Sequence, residues 1–236
     1  MNKVIHRSCS RGIADHGWLR SRHTFNFASY YDPDRMGFGK LRVLNDDIVD
    51  PSMGFDTHPH SNMEIVSIPI SGTLRHKDSM GNQHIIRSGE VQIMSAGTGI
   101  THSEYNDSST EVVNFLQIWI LPKKRNIEPR YEQKEIDTNI AQNKFLQIVT
   151  PHQENNDAVW INQDAYFSLS NLEKGSTVTY KCNFETPALY IFIISGEIVL
   201  DNEILKTRDG IALDDLANIE ISANAESKVL CIETIL

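Results

Sequence analysis

Gly54-Phe55-Asp56-Thr57-His58-Pro59-His60 and, further along, Gly97-Thr98-Gly99-Ile100-Thr101-His102-Ser103-Glu104 decide how this chain is read. The first stretch holds two histidines one residue apart. The second holds a histidine and a carboxylate at the same spacing. Side chains alternate faces along an extended strand, so the members of each pair point the same way. If the two strands are neighbours, His58, His60, His102 and Glu104 converge on one point, and that point suits a first-row divalent metal. Gly97 lies where a sharp bend would turn His102 back toward the interior.

The surrounding sequence predicts short strands parted by turns. Glu64 to Ile70 ends at Ser71-Gly72, and Val91 to Met94 follows the turn Ser88-Gly89-Glu90. Leu74 to Lys77 and Gln83 to Ile86 flank the glycine-bearing loop Asp78-Ser79-Met80-Gly81-Asn82. Upstream, His23, Phe25 and Phe27 alternate with polar residues and predict a strand with one aromatic face. Glu111 to Leu121 is apolar on both faces, as a strand inside a packed sandwich must be. No stretch carries a persuasive 3.6-residue period. The expected class is all-β.

Pro122-Lys123-Lys124-Arg125-Asn126-Ile127-Glu128-Pro129 interrupts this rhythm and marks a boundary. Its three basic residues are read as solvated. Beyond it the pattern returns. Leu189 to Ile194 followed by Ser195-Gly196-Glu197 parallels Ile65 to Ile70 followed by Ser71-Gly72-Thr73. Arg208-Asp209-Gly210 likewise parallels Arg87-Ser88-Gly89. Two copies of one β module are expected, residues 1–132 with the metal ligands and residues 133–236 without them. The one histidine of the second copy, His152, lies far upstream of its strand pairs.

Of 236 residues, 40% are hydrophobic and 22% charged, enough to build a core. The net charge of −9 argues against direct nucleic-acid binding, which needs a basic face. The acidity is concentrated after residue 122, where 11 basic residues face 18 acidic ones against 11 and 13 before it. Solubility accounts for that excess, with a protein-recognition surface as the alternative. Cys9, Cys182 and Cys231 are scattered and odd in number, so no disulfide framework follows and a reducing cytoplasm is expected. The apolar run Ala188 to Ile194 is far short of the ~20 residues a membrane helix needs, so no membrane partner is expected.

His16 and His23 lack a partner one, three or four residues away and are read as surface or hydrogen-bonded residues. Glu64, with three residues between it and His60, shares the parity of His58 and His60. Spacing therefore leaves open whether Glu64 or Glu104 is the carboxylate ligand.

The motifs resemble the cupin superfamily, with Gly54 to Gly72 as its first motif and Gly89 to Asn106 as its second. Ser95 stands where the broad pattern has proline, and only three residues separate Gly54 from His58. More specifically they resemble the pirin family, including its bacterial members described as quercetinases. The likeness is carried by His23-Thr-Phe-Asn-Phe-Ala-Ser-Tyr-Tyr-Asp-Pro33, Leu41-Arg-Val-Leu-Asn-Asp-Asp47, His58-Pro-His60 and Met94-Ser-Ala-Gly-Thr-Gly-Ile-Thr-His-Ser-Glu104. It is dense through residues 11–133 and architectural beyond. A bicupin of two jelly-roll domains is implied.

The resemblance implies His58, His60, His102 and Glu104 as ligands, moving Glu64 to a supporting place beside an imidazole or a water. It implies Fe(II) as the ion, with Ni, Mn, Cu and Zn compatible with the same ligands. It implies a flavonol-like substrate and O2 as reactants, with ring opening, loss of carbon monoxide and Glu104 as the base for the 3-hydroxyl. Met94, Phe115 and Ile118 are candidates for the cavity wall, with ordinary core the better account. Two other readings compete. One is an iron-binding, redox- or metal-sensing protein that acts through a protein partner. The other is a zinc-type hydrolase or isomerase using metal-bound water.

Overall fold

A computed structural model describes residues 1–154 and 157–236. Strand follows strand, and the only helical pieces among these residues are 3-10 turns at Ser8–Ser10 and Thr138–Ala141. Among the described residues, no helix is long and apolar enough to cross a membrane. Four sheets form two sandwiches, each a seven-stranded sheet over a four-stranded one.

The first seven-stranded sheet runs Arg130–Glu135, Glu90–Ser95, Glu64–Ser71, Val113–Ile120, Leu41–Val49, Leu19–His23, Gly12–Asp15. The second runs Asn2–His6, Gly210–Asp214, Pro187–Ser195, Ser227–Ile235, Ala165–Leu172, Leu146–Thr150, Val159–Trp160. The segments matched as repeats in the sequence hold equivalent places. Glu64–Ser71 and Pro187–Ser195 are both third in order, and Glu90–Ser95 and Gly210–Asp214 are both second. The small sheets correspond too: Gly54–His60, Ile100–Asn106, Thr73–Asp78, Gln83–Arg87 in one, Thr177–Lys181, Asn218–Ala223, Glu197–Leu200, Glu203–Lys206 in the other. Strand Asn2–His6, first in the chain, edges the second sheet through register with Gly210–Asp214. Strand Arg130–Glu135 spans residue 132 and edges the first sheet against Glu90–Ser95.

The outer faces of the two large sheets pack on each other. Leu44, Val66, Ile68, Ile93, Leu116 and Ile118 of the first meet Phe167, Leu169, Tyr190, Phe192, Leu230 and Ile232 of the second in one buried cluster. Alternation along each strand then leaves the opposite face for the sandwich interior. Residues 45, 47, 65, 67, 92, 115 and 117 belong to that inner face in the first half.

The expected strand over His23, Phe25 and Phe27 stops at His23. Phe27 and Tyr30 pair across a tight turn in which Ala28 takes φ 49°. Chain reversal there separates the aromatic residues. Phe25 is buried against His6 and Tyr190, while His23 and Phe27 face each other at 5.2 Å on the other side.

Candidate metal centre

Strand Ile100–Asn106 lies between Gly54–His60 and Thr73–Asp78. His102 is in register with His58 on one side and Asp78 on the other, and Ile100 is in register with His60. Glu104 faces Phe55 across an irregularity after His102, and faces His76 on the other flank. The close approach is built into Gly54, where a Cβ would overlap the Glu104 carbonyl. Gly97, at φ 47°, makes the preceding turn under the Ile127 carbonyl, where no side chain fits.

The ligand atoms of His58, His60 and His102 come within 4.8 Å of one another. Those of His76, His102 and Glu104 do the same. His102 therefore sits where two triads meet. It is 2% exposed, and neither of its ring nitrogens has a hydrogen-bond partner. His58 engages the Asp56 carbonyl through Nδ1 at 2.7 Å, which leaves Nε2 facing the cluster. Burial holds His60 down to about 4, aided by the neighbouring His102 and His58. Burial also holds His102 down to about 3, with His58 and His76 adding to the effect. Both imidazoles are thus neutral near pH 7 and keep a lone pair for a cation.

Glu104, also 2% exposed, is anchored from below. Ser67 Oγ donates to Oε1 at 3.1 Å and Gln117 Nε2 to Oε2 at 2.6 Å. These contacts orient a carboxylate whose negative charge complements a cation among neutral imidazoles. Buried, unpartnered nitrogens beside a fixed carboxylate form a donor set that fits a divalent transition metal.

The sequence reading missed His76. It is fully buried, 3.1 Å from Asp78 through Nε2, with Nδ1 unpartnered. The signal was present, since His76 and Asp78 repeat the one-residue spacing that flagged His58 and His60. Glu64, expected to support a ligand, has its hydrogen bonds elsewhere. Glu64 accepts hydrogen bonds from Ser95 Oγ at 2.7 Å and Asn162 N at 3.2 Å, tying the first half to the second. Asn62, at φ 50°, makes the turn between strands of two different sheets, so parity does not carry from His60 to Glu64.

A cavity of about 460 Å³ opens above the cluster, within the size range of small-molecule sites. His58, His60, Glu104, Gln117 and Trp119 line its inner end. Trp18, Phe27 and Phe55 give it aromatic walls, and Ser21, Asn45 and Asp47 give it a polar one. His16 and His23 line it as well: His16 is exposed, as expected of a surface residue, whereas His23 is buried, delivered by the pairing of Leu19–His23 with Leu41–Val49. Met94, Phe115 and Ile118 are core residues in three separate clusters. Burial pushes the Asp47 carboxyl up to about 7, opposed by the Ser21 hydroxyl and reinforced by Asp46 and Glu104.

Residues 5–120 match the Pirin family, and residues 147–234 match the quercetinase C-terminal cupin domain. The chain is 43% identical over 226 residues to a quercetin 2,3-dioxygenase of Escherichia coli K12, covering 96% of each. It is 38% identical over 222 residues to a pirin-like protein of Caulobacter vibrioides, covering 94% of this chain and 95% of that one. A bacterial pirin of Escherichia coli, crystallised in complex with nickel(II), superposes with a TM-score of 0.93 at 40% identity over 99% of both chains.

Proposed function

The chain belongs to the pirin family, and from that membership we propose that it is a dioxygenase that opens the central ring of a quercetin-type flavonol. In this reading His58, His60, His102 and Glu104 hold one divalent transition metal, with Fe(II) as the working ion. The observation that carries it is His102, whose two unpartnered nitrogens lie at the meeting of both triads beneath the cavity. When bound, such an ion supplies a Lewis-acidic, redox-capable centre for a phenolate and O2.

The chain's own groups do the rest. Trp18, Phe27 and Phe55 offer flat apolar surface to an aromatic ligand and exclude water from it. Glu104 accepts the proton of the 3-hydroxyl while Ser67 and Gln117 keep its carboxylate aimed at the cluster. Trp119, edge-on to His60 at 5.0 Å, fixes that imidazole and closes the inner end of the cavity. One flavonol and one O2 give one ring-opened depside and one CO.

The test is oxygen uptake and CO release on adding quercetin to Fe(II)-loaded protein. Equimolar O2 consumption and CO formation are expected. Fully metallated protein that binds quercetin yet consumes no O2 would contradict the dioxygenase reading and favour a sensing role through a protein partner.

A further inference from the structure

One line of residues crosses the inner face of the first seven-stranded sheet. Gln92 is in register with Ser67, Ser67 with Gln117, Gln117 with Asn45, and Asn45 with His23. Every member is polar and every member is buried, from 0% exposed at Ser67 to 8% at Gln117. A sandwich interior normally holds apolar side chains at such positions. Ser67 and Gln117 have an evident task, because both hold Glu104. Asn45 and His23 do not.

Asn45 is 1% exposed, and its Oδ1 has no hydrogen-bond partner. His23 is 3% exposed, and its Nδ1 has none. Trp119 Nε1, an obligate donor, is buried and unpartnered as well. All three residues line the cavity. A buried polar atom left without a partner costs about 1–3 kcal/mol, so three around one cavity are kept at a cost unless a ligand completes them. Strands lie ~4.8 Å apart, which puts Asn45 about 5 Å and His23 about 10 Å across the sheet from Gln117. That is the reach of a two- or three-ring planar molecule whose other end lies at the histidine cluster.

We infer that Asn45 and His23 form a second recognition subsite, which selects planar polyphenols carrying ring hydroxyls beyond the end that reacts, while Trp119 anchors the ligand at that reacting end. Asn45 Oδ1 accepts a hydrogen bond from a ring hydroxyl, and the neutral His23 imidazole serves a second one. Trp119 donates to a ligand oxygen beside His60. The aromatic walls at Phe27, Phe55 and Trp18 hold the body of the molecule flat between these poles. The subsite rests on the flavonol reading and adds to it the feature by which one flavonol is preferred over another.

The experiment is anaerobic titration of the metal-loaded full chain, read by tryptophan fluorescence quenching. Quercetin is compared with 3-hydroxyflavone, which keeps the 3-hydroxyl and carbonyl and lacks the ring hydroxyls. Wild type is expected to bind quercetin at least ~10-fold tighter, the size of one well-formed buried hydrogen bond. Asn45→Leu is expected to lose that preference, weakening quercetin ~10-fold while 3-hydroxyflavone changes by less than ~2-fold. Trp119→Phe, which keeps an aromatic ring, is expected to weaken both ligands alike. An unchanged preference in Asn45→Leu, or equal binding of both flavonols by wild type, overturns the subsite and leaves the flavonol reading standing. Failure of metal-loaded wild type to bind either flavonol overturns both.

Discussion

The two halves have the same strand order, yet one interior is sealed and the other is unfinished. In the second sandwich, strands Thr177–Lys181 and Asn218–Ala223 take the places of Gly54–His60 and Ile100–Asn106. Where His58 faces His102, the second half sets Val178 against Ile221 and Tyr180 against Ile219. Leu189, Ile191, Ile193, Val229 and Cys231 complete an apolar core with them. Its most deeply buried carboxylate among the described residues, Glu233, accepts from Tyr180 Oη, Asn183 N and Nδ2 and Phe184 N, all at 2.7–2.9 Å.

The first sandwich keeps two small apolar clusters, one around Leu74, Val113 and Phe115 and one around Ile65, Met94 and Ile100. Ten buried side-chain polar atoms among the described residues lack a hydrogen-bond partner, and nine belong to residues 11–119. The tenth, on Arg208, belongs to a side chain that reaches across to Asp46. A duplicated fold thus shows what function costs. One copy gives its interior to packing, and the other keeps buried polar atoms without hydrogen-bond partners around its histidine cluster and cavity.

The largest effect expected from substitution is structural and falls in the sealed half. Glu233→Leu strands the donors of Tyr180, Asn183 and Phe184, and urea unfolding should show a loss of about 3–5 kcal/mol. Metal content should not change, and a coupled loss of metal would break the separation between the halves.

Gln117→Leu does the converse. It removes one of the two donors that aim Glu104, so metal affinity should fall ~10–100-fold with little change in unfolding midpoint. Competition with a chelator measures it, and unaltered affinity would show that Glu104 needs no such support.

The pH response follows from groups in or against the unfinished half. His6 and His23, both held down to about 4 by burial, stay neutral when folded and take protons when unfolded below 6.5. The unfolded chain then binds more protons, so stability is intact above pH 6.5 and falls as pH drops toward 4. Asp47, raised by burial to about 7 from 3.8, runs the other way, favouring the folded state at low pH and losing that contribution as pH rises. Asp47→Asn removes the opposing contribution, so its Tm should fall more steeply than wild type between pH 6.5 and 4. Parallel curves would show that Asp47 is ionised throughout.

The smallest effect concerns the unpaired amide. Asn45→Leu should raise the stability of the metal-free chain by about 1 kcal/mol, because an unsatisfied buried polar group is exchanged for an apolar one. A loss of stability would show that Asn45 is structural.

Much of this was legible because strand periodicity is local. The one-residue spacing of His58 and His60 and of His102 and Glu104, with the turn at Gly97, needs no distant information. The repeated Ser-Gly turns after Ile70 and Ile194 likewise identified equivalent strands of the two sandwiches. What stayed hidden depends on long-range register. Glu64 kept its parity only on paper, since the turn at Asn62 passes the chain to another sheet. His23 reached the cavity through pairing with Asn45, and strand Asn2–His6 crossed to the far half through pairing with Gly210–Asp214. Neither pairing leaves a trace in neighbouring residues.

The central claim is that one half alone holds a metal and that His102 is its keystone. Metal analysis by mass spectrometry of wild type, His102→Ala and His152→Ala, each purified without added metal and then loaded with Fe(II), tests it directly. Close to one ion per chain is expected in wild type and in His152→Ala, whose imidazole contacts the Tyr166 hydroxyl at 2.8 Å in the sealed half. His102→Ala should retain almost none. Undiminished metal in His102→Ala, or loss of metal in His152→Ala, would contradict the assignment.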